Sequence, residues 1–285
     1  MAKPIILITG AHGQLGTEFR VLANTYTHYE FIFTDKEELS IDDPAAVNTF
    51  FLEHRPAFCI NCAAYTAVDK AETEKDIAFK INADAVGILA AACKEHTTRF
   101  VHISTDYVFD GTSPEPYKEN DDTDPINIYG ASKLRGEQLC LENNPDAIII
   151  RTAWVYSPFG NNFVKTMIRL MREREEINVV NDQIGAPTYA ADLAKCILLI
   201  IENWKPGIYH YSNTGKISWY NFAVAIRDLI SSECVVIPVS SAQYPTAAQR
   251  PSFSLLDTTK IQHTFDFAIP SWKTSLADCI QRLLN

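Results

Sequence analysis

The sequence predicts an α/β protein with a doubly wound, parallel, Rossmann-type sheet and a smaller C-terminal substrate-binding lobe. Three observations carry this. Short β-branched apolar runs alternate with stretches of helical periodicity as far as Thr152, the pattern of parallel strands joined by crossover helices. A glycine turn, Gly10-Ala11-His12-Gly13-Gln14-Leu15-Gly16, ends the first run and opens a helical pattern. A buried run ending in Ser104 and Thr105 is followed by Tyr129-Gly130-Ala131-Ser132-Lys133.

Pro4 to Thr9 reads as the first strand, and Leu15, Phe19 and Leu22 then repeat at helical spacing. Glycines between them allow a tight turn and close approach of a pyrophosphate, which the helix N-terminus holds. The spacing is G-x-x-G-x-x-G, a variant of the commoner G-x-G-x-x-G. Phe31 to Thr34 is the second strand and ends at Asp35, 19 residues after Gly16. An acid there can bond the adenosine ribose hydroxyls, whereas the neighbouring Lys36 suits a 2′-phosphate.

A helix starting near Pro44 carries Val47, Phe50 and Phe51 on one face. Ala57 to Cys62 is the next strand, and Ala63-Ala64-Tyr65-Thr66-Ala67-Val68-Asp69 follows it. Small residues at such a strand end let a flat cofactor approach the backbone. Cys59 and Cys62 form a C-x-x-C, but residues three apart in a strand face opposite sides, so buried reduced thiols are expected there. Ile77 to Cys93 reads as one long helix. Phe100 to Ile103 is a buried strand that delivers Ser104 and Thr105 to the sheet edge where ligands sit in open α/β folds. Thr112 to Asp124 is a polar loop, Pro125 suits a turn, and Tyr129 to Glu142 is a helix. Ala147 to Thr152 is a further strand.

Beyond Thr152 the pattern is less regular. A helix spans Phe163 to about Glu173. Asp182 to Thr188 is a polar loop before a helix through Ile201, and Ile208 to Tyr211 returns a strand to the main sheet. Residues 1–152, with 190–211 completing the sheet, form the dinucleotide-binding unit. Residues 153–285 form mainly the substrate lobe. A cleft between two lobes suits a small-molecule enzyme.

Tyr129 and Lys133, four residues apart, share one helix face. Reducing a ketone takes a hydride on carbon and a proton on oxygen. A free tyrosine has a pKa of about 10 and is a proton donor near neutrality. A nearby ammonium is expected to stabilise the phenolate and lower that pKa, while a Ser or Thr hydroxyl holds the ketone oxygen. A lone Tyr-x-x-x-Lys is common by chance in a chain with 12 tyrosines; the preceding dinucleotide turn gives it weight.

Composition narrows the partners. A net charge of −10 argues against a nucleic-acid binder, yet leaves room for an anionic small ligand, because charge is screened over roughly 10 Å. The apolar runs Ile5 to Ile8 and Cys196 to Ile201 are too short for a signal peptide or a membrane span. Seven cysteines without disulfide-framework spacing suit the cytoplasm.

With these pieces placed, the chain resembles the extended short-chain dehydrogenase/reductase family. The matching stretches run almost end to end. They include Gly13 to Gly16, Asn61 to Asp69, Ser104 to Phe109, Tyr129 to Lys133, Arg151 to Tyr156, Gly160 to Phe163, Asn181 to Thr188 and Arg250-Pro251. The resemblance implies Thr105, Tyr129 and Lys133 as the catalytic triad. It implies that Gly10, His12, Gly13, Gln14, Leu15, Gly16, Asp35, Ile41, Ala63, Ala64 and Tyr65, with Tyr129 and Lys133, contact a nicotinamide cofactor. Thr66, Asp69, Thr105, Asp106, Trp154, Asn162 and Arg250 would touch a sugar nucleotide, a dTDP-sugar, with the Arg250 guanidinium suited to its diphosphate. Ser40 stands where relatives often carry Asp beside the adenine, and use of both NADH and NADPH is expected. Some relatives hold magnesium at a dimer interface; no ligand cluster in this sequence supports a metal, and the resemblance admits a homodimer. Tyr107 stands where similar dehydratases carry Glu, and Asp106 where fucose-forming epimerase-reductases carry Cys, which favours a reductase. A non-catalytic subunit, such as the methionine adenosyltransferase β subunit, has a similar sequence and differs by lacking turnover.

Overall fold

The computed structural model describes residues 3–284. Its centre is a six-stranded sheet. The first five strands in the chain are β1 (Ile5–Thr9), β2 (Glu30–Thr34), β3 (Phe58–Asn61), β4 (Arg99–Thr105) and β5 (Ile148–Thr152). Gly207–Tyr211 adds the sixth, and the order across the sheet is Gly207–Tyr211, β5, β4, β3, β1, β2. Every neighbouring pair is parallel. The chain leaves β1 for β2 on one side and then crosses to β3 on the other. That reversal opens a crevice at the C-terminal ends of β1 and β3, where such sheets bind ligands.

The strands are apolar on both faces, and successive residues serve different layers. Ile6, Ile8, Ile60, Val101 and Ile150 meet Leu15 and Phe19 of the helix Gln14–Ala23 and the helix Ala190–Glu202. Leu7, Cys59, Phe100 and Ile149 face the other way, onto Val47 and Phe51 of Pro44–His54 and onto Val86 and Leu89 of Ala85–Glu95. Full burial of a side chain such as Phe19 contributes roughly 1.5–3 kcal/mol. Cys59 belongs to this second layer, while Cys62 packs against the first.

A second core gathers Tyr156, Val164, Met171, Phe222, Ile226, Leu276 and Ile280. It joins the helices Phe163–Glu173, Trp219–Leu229 and Trp272–Leu284 to a parallel pair of strands, Glu176–Val180 and Val235–Val239. Ile261, Phe265 and Ile269, further along the chain, return to the main sheet. No helix among the described residues is long and apolar enough to cross a membrane.

Two segments depart from the sequence expectation: the stretch expected as a polar loop, Asp182 to Thr188, holds the short strand Ile184–Gly185 and starts another, Thr188–Tyr189. The second, Ile77 to Cys93, is not a continuous α-helix. Lys75–Phe79 and Ala85–Glu95 are separated by a π-helical turn, Lys80–Asp84. The Asn82 side chain supplies the reason. Its Oδ1 accepts from Tyr65 N at 2.8 Å, and its Nδ2 donates to Tyr65 O and Ser132 Oγ, each at 3.0 Å. The wider turn aims Asn82 at these groups and so ties the loop after β3 to the helix Ile128–Asn143.

Candidate active site

The crevice widens into a cleft of about 760 Å³. At one end β1 stops at the glycine turn. Gly10 has φ of +66°, and a Cβ there would lie 2.6 Å from Ala63 N. A Cβ on Gly16 would lie 2.5 Å from the Gly10 carbonyl oxygen. Glycine is therefore required at both positions for the turn to close against β3. Gly13 is the N-cap of the helix Gln14–Ala23, and no side chain caps that helix. Its first N–H groups are left for an anion, which fits a dinucleotide pyrophosphate.

The structure brings most of the candidate cofactor residues into this cleft. Gly10, Gly13, Gln14, Leu15, Asp35, Ile41, Ala63 and Ala64 all line it. So do Leu39, Lys36 and Asp42. Asp35 accepts from the His12 backbone N–H at 3.1 Å and from the Lys36 N–H at 2.9 Å, which fixes its carboxylate at the end of β2. Ser40 Oγ donates to Asp42 at 2.6 Å, and Lys80 pairs with the same carboxylate at 2.6 Å. These contacts hold Asp42 down to about 2.

Thr105 is the last residue of β4. Its Oγ1 donates to Asp106 Oδ1 at 3.0 Å and accepts from Tyr107 N at 3.2 Å. Tyr129 and Lys133 come from the helix Ile128–Asn143. Asn127 caps that helix by accepting from Gly130 N at 2.8 Å. A Cβ on Gly130 would lie 2.1 Å from Tyr107 O, so glycine lets the helix press against the turn that follows β4. Thr105, Asp106, Tyr107, Tyr129, Lys133, Thr66 and Trp154 line the same cleft.

Burial governs the protonation of these groups. It pushes Tyr129 up to about 12, with the Thr105 hydroxyl drawing it back. Burial pushes Lys133 down to about 8 and Asp106 up to about 6. The sequence led us to expect that Lys133 would lower the Tyr129 pKa. The structure corrects this, because desolvation dominates at Tyr129 and the Lys133 ammonium is engaged elsewhere, donating to Ile103 O at 2.6 Å. Asp106 Oδ2 has no hydrogen-bond partner of good geometry, although the Ser254 hydroxyl lies close enough to favour its charged form.

Other sequence candidates stand beside the cleft and support it. His12 is largely exposed and contributes its backbone to Asp35. Gly16 packs on the turn. Tyr65 donates its hydroxyl to Glu74 at 2.6 Å. Asn162 caps Phe163–Glu173 and donates to Gln14 Oε1 at 2.9 Å. Asp69 and Arg250 pair with each other at 2.7 Å.

Leu39, Asp42, Trp219, Asn61 and His102 carry no site role in the sequence reading. Trp219 lines the cleft and stacks on Trp154, with centroids 3.6 Å apart and planes 12° apart. Trp154 itself has φ of +49°, a strained backbone held by that stacking and by Gly185 beneath it. Asn61 and His102 are buried polar residues within apolar strands. Such interruptions of a hydrophobic run were visible signals.

The strand order, the uncapped helix behind a glycine turn and the Thr-Tyr-Lys cluster at the strand ends define a Rossmann-type, nicotinamide-dependent reductase of the short-chain kind. The chain belongs to the family of the RmlD substrate binding domain, whose profile matches residues 4–285. It is 42% identical to a dTDP-4-dehydrorhamnose reductase of Aggregatibacter actinomycetemcomitans, over 95% of this chain and 96% of that protein. It is 37% identical to a dTDP-4-keto-6-deoxy-D-glucose reductase of Streptomyces niveus, over 98% of this chain and 97% of that one. Among solved structures, dTDP-4-dehydrorhamnose reductase of Bacillus anthracis in complex with NADP superposes with a TM-score of 0.96 at 44% identity, covering 99% of this chain and 100% of that one.

Proposed function

We propose that the protein reduces the C4 ketone of dTDP-4-dehydro-L-rhamnose to give dTDP-L-rhamnose, with NADPH or NADH as reductant. The observation that carries this reading is the convergence of Thr105, Tyr129 and Lys133 in one cleft that runs from the glycine turn to Trp154.

A nicotinamide, when bound, would supply the hydride. The chain's own residues do the rest. Gly13 and the uncapped helix N-terminus would hold the pyrophosphate, and Asp35 would meet the adenosine ribose. Tyr129, raised to about 12, stays protonated near neutrality and gives its proton to the ketone oxygen. Thr105 orients that oxygen. Lys133, which lines the same cleft, would offer a cation to the nicotinamide ribose. The stacked pair Trp154 and Trp219 walls one side of the sugar site, and Asp106 accepts from a sugar hydroxyl. Thr66, Asp69, Asn162 and Arg250 bound the nucleotide end. No step requires a metal. The unbridged cysteines support a cytoplasmic setting.

The test is loss of reduced-nicotinamide absorbance with dTDP-4-keto-6-deoxy-L-lyxo-hexulose. Its GDP and UDP analogues and the dTDP-4-keto-6-deoxy-D-glucose epimer run in parallel. Fast turnover of the first substrate alone is expected. Preference for the epimer reassigns the sugar, and cofactor binding without any turnover replaces the enzyme with a regulatory subunit.

A further inference from the structure

Behind the cleft, a line of polar side chains runs through the sheet from the cofactor turn to Lys133. Thr9, Asn61, His102 and Lys133 are each at most 2% exposed. Thr9 Oγ1 donates to Asn61 Oδ1 at 2.7 Å, and the Ala63 backbone N–H donates to the same oxygen at 3.1 Å. A backbone N–H can only donate. The Asn61 oxygen therefore faces Ala63, and its amide nitrogen faces His102. Asn61 Nδ2 lies 3.1 Å from His102 Nδ1, so Nδ1 accepts. A neutral imidazole that accepts on Nδ1 carries its proton on Nε2. Burial, reinforced by the Lys133 charge, pushes His102 well below its usual value, so the ring is neutral.

His102 Nε2 lies 3.4 Å from Lys133 Nζ. An amine can accept that N–H, and an ammonium cannot. Moving the ring proton to Nδ1 does not help, because it then meets the Asn61 N–H. A charged Lys133 leaves one donor facing another at one of the two contacts. We propose that His102 is a positioning residue: held as the Nε2–H tautomer by Asn61, it favours the uncharged form of Lys133 and so sets the alkaline limit of the reaction. The link to activity rests on the reductase reading; the protonation state of Lys133 does not.

The other groups facing Lys133 leave room for this effect. Ile103 O accepts from Nζ at 2.6 Å in either protonation state. Glu137, one turn along the same helix, favours the charged form, but it is already paired with Arg151 at 2.7 Å and accepts from Ser104 at 2.5 Å. The Cys62 and Cys140 thiols, one beyond β3 and one on the lysine's own helix, are both pushed up by burial and stay neutral. Tyr129, also on that helix, is pushed up by burial and is neutral too.

The experiment labels lysine with ¹³C at the ε-carbon and follows Lys133 through a pH titration, its resonance assigned by its loss in Lys133→Met. In His102→Leu the midpoint is expected to rise by roughly half to one pH unit, the equivalent of one hydrogen bond. The alkaline limb of kcat/KM should move with it. A folded His102→Leu protein with an unmoved Lys133 midpoint overturns the proposal. Should that variant fail to fold, the imidazole ¹⁵N spectrum of the unmutated protein decides: a proton on Nε2 supports the proposal, and one on Nδ1 overturns it. Both spectra are read without sugar substrate, so failure to turn over the dTDP-sugar overturns the functional reading alone.

Discussion

The Arg250 guanidinium grips the Asp69 carboxylate through two contacts, at 2.7 and 3.1 Å. The pair joins the short helix Val68–Ala71, which follows β3, to the Ala248–Arg250 segment, because Asp69 also accepts from Ala248 N at 3.0 Å. Asp69 is held below the usual carboxylate range, chiefly by that arginine. A diphosphate would meet a guanidinium that is already oriented. Arg250→Ala is expected to raise KM for the sugar nucleotide by about 10- to 100-fold, the value of one charge-assisted contact, with a smaller change in kcat. Steady-state kinetics check this. A flat KM makes the pair a clamp between two segments and nothing more.

Tyr129→Phe removes one hydroxyl and keeps the ring against Tyr107, which it meets edge-on at 5.8 Å. Loss of a positioned proton donor typically costs about 10²–10⁴-fold in rate. A kcat drop of that size is expected, with near-native cofactor Kd and thermal midpoint. Lys133→Met should differ by weakening cofactor binding as well. Near-native reduction by Tyr129→Phe would falsify the assignment of the donor.

Cofactor choice follows from the end of β2. Asp35 suits free ribose hydroxyls, and Lys36, lining the same cleft, suits a 2′-phosphate. Both NADH and NADPH should serve. Their kcat/KM values are expected to differ by less than roughly a hundredfold, since one phosphate contact is worth about 1–3 kcal/mol. A larger ratio in either direction rejects dual use.

Asp106 makes a prediction about stability against pH. Burial pushes Asp106 up to about 6 in the folded protein, from the ordinary carboxylate value of 3.8. Between these values the folded state holds a proton that the unfolded state has released, so stability falls as pH rises through this window. Above it the cost of a buried carboxylate is fully present. Asp106→Asn removes that charge and should stabilise the protein at pH 7 by up to about 3 kcal/mol, while lowering turnover. Thermal melts of both proteins from pH 4 to 8 check this, and parallel melting curves across the range reject it.

The sheet and the cleft were legible because their signals are local. β-branched runs, a glycine turn and helical spacing at Leu15 and Phe19 are properties of adjacent residues, and the six sheet strands and the first helix they point to are present. The convergence of Thr105 with Tyr129 could also be read, since both lie at ends of strongly patterned elements. The π turn at Lys80–Asp84 was not legible. It depends on Asn82 reaching Tyr65 and Ser132, partners 17 and 50 residues away. Trp219 was missed for the same reason, because its meaning comes from stacking on Trp154 across the fold. The Tyr129 pKa was misjudged because a sequence shows which charges are present and says nothing of how dry they are.

Among the described residues, the sixth strand of the sheet, Gly207–Tyr211, pairs with β5 and with no other strand. During synthesis, β5 emerges with its outer rim open until residues 207–211 have left the ribosome. Through that interval a fully buried Ile148-Ile149-Ile150 segment offers unpaired backbone groups to any other extended chain. The helix Ala190–Glu202 covers one side of these strands, but a helix cannot satisfy a strand's hydrogen bonds. Chains cut anywhere between 153 and 206 should therefore aggregate rather than accumulate as a half-sized cofactor-binding fragment, and the yield of full-length protein should respond to how quickly translation passes through that stretch.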